Sequence, residues 1–352
     1  MSKDGYILGG GTIRIYALDL CRGFCALGVA AYHLSMWSGI ELSKFYGSIL
    51  TLFGTYGVSV FFILSGYSLA HAYERDFSFS IDSRLLKLYF CRRIGRLAPL
   101  FIAALVMSLL GKYLFSETKS VDYMEVIASV TLIFGFFNPA ATPVIGGWSI
   151  GVEIVFYVFF PLLMLFRERS VSMLLVGAIL TAWISNDLMQ QQNLTNGWNT
   201  YVVPANHWIF FCSGAYARLH VDSWHIEQPA AIGLLVSLLL IASFCVTGAT
   251  ELQIVTGWRR VVLVVICILF VALVGKLVIF NGTIQSICIA MGGASYPLYL
   301  LHPLLFFATQ GLVKDPTVAS WLSLVCLALL FAYLVDRYFD SIVQRRIKRL
   351  GW

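Results

Sequence analysis

The sequence predicts an all-α polytopic membrane protein, and three observations carry that expectation. Hydrophobic residues make up 59% of the 352-residue chain and charged ones only 12%, about half the charged fraction of an ordinary soluble domain. Mean hydropathy is +0.82, and apolar runs near the ~20 residues that a bilayer requires recur from end to end. The basic residues of a chain with net charge +6 gather in two zones, Arg75 to Arg96 and beyond Arg337. That is the distribution of cytoplasmic membrane flanks, so no nucleic-acid partner is expected. The alternating segments of a β-barrel do not occur.

Taken in order, spans are expected near 14–37, 49–73, 97–115, 148–166, 171–187, 204–219, 229–248, 260–280, 295–313 and 317–338. Charge parity fixes the remaining apolar segment, 122–139. The loop holding Arg75, Arg84, Lys87, Arg92, Arg93 and Arg96 belongs inside, and so does Arg167-Glu168-Arg169. Segment 122–139 must then start and finish outside, as a re-entrant or interfacial helix. The result is about ten transmembrane helices with both termini cytoplasmic. Residues 1–13 form a cytoplasmic N-terminal segment and 340–352 a basic cytoplasmic tail on one membrane domain, 1–352. Arg259 and Arg260 conflict with this scheme, since they fall at an outer end. The polar start is not expected to be a signal peptide, since no cleavage site follows it. Eight cysteines occur without a Cys-x-x-Cys pair, so neither a disulfide framework nor a metal site is expected.

Polar groups inside the spans are costly and functional by default. Arg22 and His33 stand eleven residues apart, so on a helix they share one face about 16 Å apart along the axis. Asp19 joins that face one turn before Arg22. In WSIGVEIVFY, Glu153 and Tyr157 are one turn apart. Counted from Trp148 as the outer surface, Glu153 lies at the depth of His33, where a carboxylate would hold the imidazole tautomer and raise its basicity. In CRRIGRLAP, Arg93 and Arg96 make a fork suited to phosphate. Ser65–Gly66 within FFILSG allows a close helix approach or an exposed carbonyl. In SYPLYLLHP, Pro297 and Pro303 bracket a span that carries His302, and a proline break frees backbone groups to line a cavity. The outer segment 190–208 is rich in amides and aromatics. Its Trp198, Asn206, His207 and Trp208 suit a sugar.

Five stretches together resemble acyltransferase family 3, the membrane proteins that O-acylate cell-surface polysaccharides and lipids. They are LDLCRGFCALGVAAYH, GVSVFFILSGYSLA, CRRIGRLAP, GGWSIGVEIVFYVFFP and SYPLYLLHP, and they stand in the family's order over about residues 14–303. Cys21 and Cys25 replace more usual aliphatic residues. The hydrolase-like domain that many members carry is not part of this sequence. The resemblance implies acyl-CoA, in the first place acetyl-CoA, as cytoplasmic donor, and a hydroxyl of a polysaccharide, lipopolysaccharide or lipid-linked sugar (a glycan or glycolipid) as acceptor on the far side. It implies a bacterial inner-membrane location and no metal. By motif, His33 is the catalytic histidine, Glu153 the carboxylate of the Trp148-Ser149 motif, and Arg22, Arg93 and Arg96 the required arginines. Arg92 joins Arg93 and Arg96 in binding the donor, and Asp19, Ser65, Trp148, Ser149, Tyr157, Tyr296 and His302 are supporting residues. A transporter of a sugar, lipid or lipid-linked intermediate is the rival class. A proton relay would use the same intramembrane charges, but two related halves, usual in transporters, are not evident.

Overall fold

The structure, a computed structural model, describes residues 14–40, 42–77, 81–115, 122–221, 223–310 and 317–349. The expected N-terminal segment 1–13 and the last three residues of the tail lie outside these. All regular structure among the described residues is helical. The long helices are α1 (Tyr16–Trp37), α2 (Lys44–Phe77), α3 (Ser83–Phe115), α6 (Trp148–Leu165), α7 (Ser170–Leu188), α9 (Pro204–Val221), α10 (Gln228–Val246), α12 (Gly257–Val274), α13 (Gly282–Thr309) and α14 (Val318–Val335). The short ones are α4 (Tyr123–Val130), α5 (Phe134–Phe137), α8 (Trp198–Tyr201), α11 (Glu251–Ile254) and α15 (Ser341–Arg349), the last joined to α14 by a π turn.

Among the described residues eight helices are long and apolar enough to cross a membrane, and the chain is an integral membrane protein. Helices α1 and α9 fall short of that apolarity for one reason. Both are enclosed by other helices, α1 by α2 and α13 and α9 by α2 and α7, so their polar residues need not meet lipid. Local sequence sets several ends. Thr250 and Thr317 close capping boxes on α11 and α14, and Asp122 accepts from the Met124 and Glu125 amides at the start of α4.

Several expectations are corrected. The basic zone is not a loop, because α2 and α3 run on to Phe77 and back to Ser83, so Arg75, Arg84 and Arg92 to Arg96 are helical. Segment 122–139 is two short helices, and the second, α5, packs on α6 where a Cβ on Gly135 would strike the Gly151 backbone. Pro297 and Pro303 do not break their span, since both lie inside the 28-residue α13. Arg260 is only 3% exposed, and it donates to the carbonyls of Val255 and Asn206 and to the Asn206 side chain. Arg259 donates to the Cys245 carbonyl. These arginines satisfy internal backbone groups.

Helix directions follow from the contacts. Gly23 meets Met291 while His33 meets His302, so α1 and α13 run parallel. Arg22 meets Leu64 and Ser68 while Gly54 meets Tyr32, so α1 and α2 are antiparallel. Ser65–Gly66 does permit a close approach. A Cβ on Gly66 would strike the Phe211 carbonyl, and one on Gly214 the Ile63 carbonyl. The result is a bundle with a basic end (Asp19, Arg22, Arg93) and an aromatic end (His33, Trp37, His302).

Candidate functional site: a basic vestibule, a polar cavity and a histidine pair

Arg22 sits on the α1 face turned to α2. Its guanidinium donates to Asp19 at 3.3 Å, to the Leu64 carbonyl at 3.3 Å and to the Ser68 hydroxyl. Asp19 also accepts from Arg14 at 2.6 Å. The expected Asp19–Arg22 pair is therefore real, and the structure adds Ser68. That residue lies three after Ser65, and therefore on the same helical face.

Arg22 lines a cavity of about 100 Å³ that Ser65, Glu153, Tyr157, Arg93 and Arg96 also face. Glu153 accepts hydrogen bonds from the Ser65 hydroxyl at 2.9 Å and from the Tyr157 phenol. A larger cavity of about 1270 Å³ lies toward the basic end, and Arg92, Arg337 and Arg345 line it. Arg93, Arg96 and Tyr296 line both cavities, so they form the neck between them. Arg93 is held by the Tyr73 hydroxyl at 3.0 Å and packs over the Tyr73 ring, while its buried Nε has no partner. A buried guanidinium N–H without an acceptor is costly and suits an anionic or polar ligand. Tyr296 is fixed by donating to the Leu97 carbonyl at 2.8 Å.

Toward the aromatic end the small cavity is closed by Phe61 and Tyr299, whose rings are 5.9 Å apart. The Tyr299 hydroxyl donates to the Gly146 carbonyl at 2.9 Å and meets the Ser149 hydroxyl at 3.0 Å. One helical turn beyond Tyr299, His302 meets His33, with Nδ1 of His33 2.9 Å from Nε2 of His302. Trp37 lies nearly parallel to both imidazoles.

One expected pairing fails. His33 and Glu153 are not neighbours: His33 meets His302, and Glu153 meets Ser65 and Tyr157. Tyr32 meets Gly54 across the α1–α2 contact, and Ser65 lies eleven residues further along α2. Glu153 is therefore at the depth of Arg22, about 16 Å from the level of His33. The reason is the starting point of the count. Trp148 is not at a surface but 7% exposed, beneath Trp198 and His207.

The acceptor residues also divide. Asn206 is 0% and His207 1% exposed. Asn206 donates to the Tyr201 carbonyl and accepts from Arg260, and His207 donates to the Tyr201 carbonyl. Neither presents a free face to an acceptor. Trp208 packs on Phe156 and Phe159 beside an apolar groove. Trp198 remains exposed over Trp148. Tyr299, Ser68 and Tyr73 were missed by sequence reasoning, although Tyr299 lies one turn from both Tyr296 and His302. Among the described residues no cluster of His, Cys, Asp and Glu could hold a metal ion.

Residues 15–337 match the model of an acyltransferase domain family. Nodulation protein 10 of Rhizobium leguminosarum bv. viciae is 28% identical over 59% of this chain and 59% of its own. Acyltransferase MdmB of Streptomyces mycarofaciens is 27% identical over 43% of this chain and 39% of its own. A protein of Staphylococcus aureus (strain COL) named as an O-acetyltransferase is 26% identical over 43% of this chain and 24% of its own. The chain thus spans less than two thirds of the length of each of these relatives. No solved structure matches it.

Proposed function

Since the chain belongs to acyltransferase family 3, we propose that it is a membrane O-acyltransferase, of acetyl groups in the first instance, working between acyl-CoA at the basic end and a glycan or lipid-linked sugar hydroxyl at the aromatic end. The basic end faces the cytoplasm of a bacterial inner membrane in this reading, in keeping with its arginines.

One observation carries the proposal: Arg93, Arg96 and Tyr296 line both the basic vestibule and the polar cavity. Phosphates are too strongly solvated to enter an apolar bilayer core, so those of CoA stop at the vestibule arginines. The uncharged pantetheine arm goes on through the neck. Glu153, held by two hydroxyls, accepts from the amide N–H groups of the arm. The thioester then passes Phe61 and Tyr299 toward His33. Arg22 to His33 is about 16 Å along α1, a gap such an extended arm spans.

At His33 the imidazole takes the proton of the acceptor hydroxyl as its oxygen attacks the thioester carbonyl. A C–O bond forms and the C–S bond breaks. The proton then passes from the imidazolium to the departing thiolate, giving an ester and free CoA.

The test is thermal stabilisation of the purified protein by CoA. CoA should raise the melting temperature of the parent and fail to do so in an Arg93→Ala/Arg96→Ala variant. An equal rise in both, or none in the parent, contradicts the donor site.

A further inference from the structure

The two imidazoles at the aromatic end are 5.2 Å apart between centroids and 7° from coplanar, yet their facing nitrogens are only 2.9 Å apart. Near-coplanar rings that touch edge to edge form an in-plane hydrogen bond, not a π stack. One nitrogen donates and the other accepts, and a second contact decides which. Nδ1 of His302 is 3.0 Å from the Leu298 carbonyl in its own helix. A carbonyl can only accept, so His302 carries its proton on Nδ1. A second proton on Nε2 would put a cation in a side chain 2% exposed, with no carboxylate bonded to either ring among the described residues. Nε2 of His302 is therefore a lone pair, and Nδ1–H of His33 donates to it.

We infer that His302 is a positioning residue that fixes His33 as the Nδ1–H tautomer and so leaves Nε2 of His33 as the basic nitrogen of the acyl transfer. This rests on the acyltransferase reading above and deepens it, assigning to His302 the orienting part expected of Glu153. The chain Leu298 carbonyl, His302, His33 is relayed by neutral hydrogen bonds alone. Trp37 lies 5.0 and 5.7 Å from the two ring centroids and keeps both rings from rotating out of plane. When Nε2 of His33 takes the acceptor hydroxyl proton, Nδ1–H stays on His33 and its bond to His302 strengthens as positive charge develops. Nε2 then gives the proton to the CoA thiolate, and His302 gains and loses none.

Ring-nitrogen NMR of the full chain carrying isotope-labelled histidine tests the tautomer directly, with a His33→Ala spectrum assigning the signal among the six histidines. The parent should show His33 protonated at Nδ1 and bare at Nε2. In His302→Phe the proton should move to Nε2 or divide between the two. A parent His33 protonated at Nε2, or a tautomer unmoved by His302→Phe, overturns the inference. With acetyl-CoA and native membranes as acceptor source, His302→Phe should lower kcat about tenfold to a hundredfold, the range of lost orienting partners, without changing KM for acetyl-CoA. His302→Gln retains an acceptor oxygen at that reach and should recover most of the rate. Parental kcat in His302→Phe, or no recovery in a folded His302→Gln, also overturns it. The spectrum reads the orientation whether or not acyl transfer is the reaction. The His33→Ala rate reads the reaction whether or not His302 orients.

Discussion

The two ends of the site differ in what holds them. At the basic end Arg93 and Arg96 line the neck and Arg22 lies beside it; Arg22 and Arg93 are tied by a carboxylate, hydroxyls and one carbonyl, and one buried arginine N–H is left without a partner. At the aromatic end His33 and His302 satisfy each other under Trp37, and among the described residues no ion pair holds them. The first end is built to gain a ligand's charge and the second to keep two neutral rings in one orientation. Binding and proton transfer are thus separated by about three helical turns of α1, and substitutions at the two ends should fail in different ways.

The largest effect is expected at the aromatic end. His33→Ala should lower kcat roughly 10²–10⁴-fold, the usual contribution of a general base, with KM for acetyl-CoA close to the parent's. Steady-state kinetics in membranes checks this, and a change confined to KM would erase the contrast between the ends. Next, Arg93→Ala/Arg96→Ala should weaken CoA binding about tenfold to a hundredfold, equivalent to one hydrogen bond to a charged group of about 1.5–3 kcal/mol, since Arg92, Arg337 and Arg345 still line the vestibule. Calorimetric titration with CoA measures it, and kcat at saturating donor should stay near the parental value.

Glu153→Gln sharpens the comparison further. It keeps the side chain's size and removes its charge at the level of Arg22, so kcat/KM should fall by about tenfold, less than for His33→Ala. A loss as deep as that of His33→Ala would instead restore the pairing of Glu153 with His33. The smallest effect on chemistry is expected from Gly214→Ala. A new Cβ there meets the Ile63 carbonyl, an overpacking that costs about 1–3 kcal/mol. A lower melting temperature with parental KM for acetyl-CoA is the expected result.

Much of this site was legible because it is local. Asp19, Arg22 and His33 lie on one helix, and helical period alone places them on one face. Arg93 and Arg96 are likewise a single turn apart. The contacts that decide the chemistry are not local. His33 and His302 are separated by 269 positions, and no spacing rule joins them. The depth of Glu153 was misread because a helix start resembles a membrane surface in sequence, whereas Trp148 begins α6 inside the protein. Asn206 and His207 looked like acceptor groups because amides and imidazoles suit sugars. Buried Arg260 takes the Asn206 oxygens, and the Tyr201 carbonyl takes the His207 ring.

The central claim is that an acyl group enters at the basic end and leaves by way of His33 at the other. Sealed membrane vesicles with the basic end facing the medium test it most directly. Radiolabelled acetyl-CoA supplied outside cannot cross the bilayer. The account predicts label in glycan or glycolipid inside the vesicles with the parent protein, and none above background with His33→Ala. Label confined to the outer face, or equal labelling by His33→Ala, would contradict it.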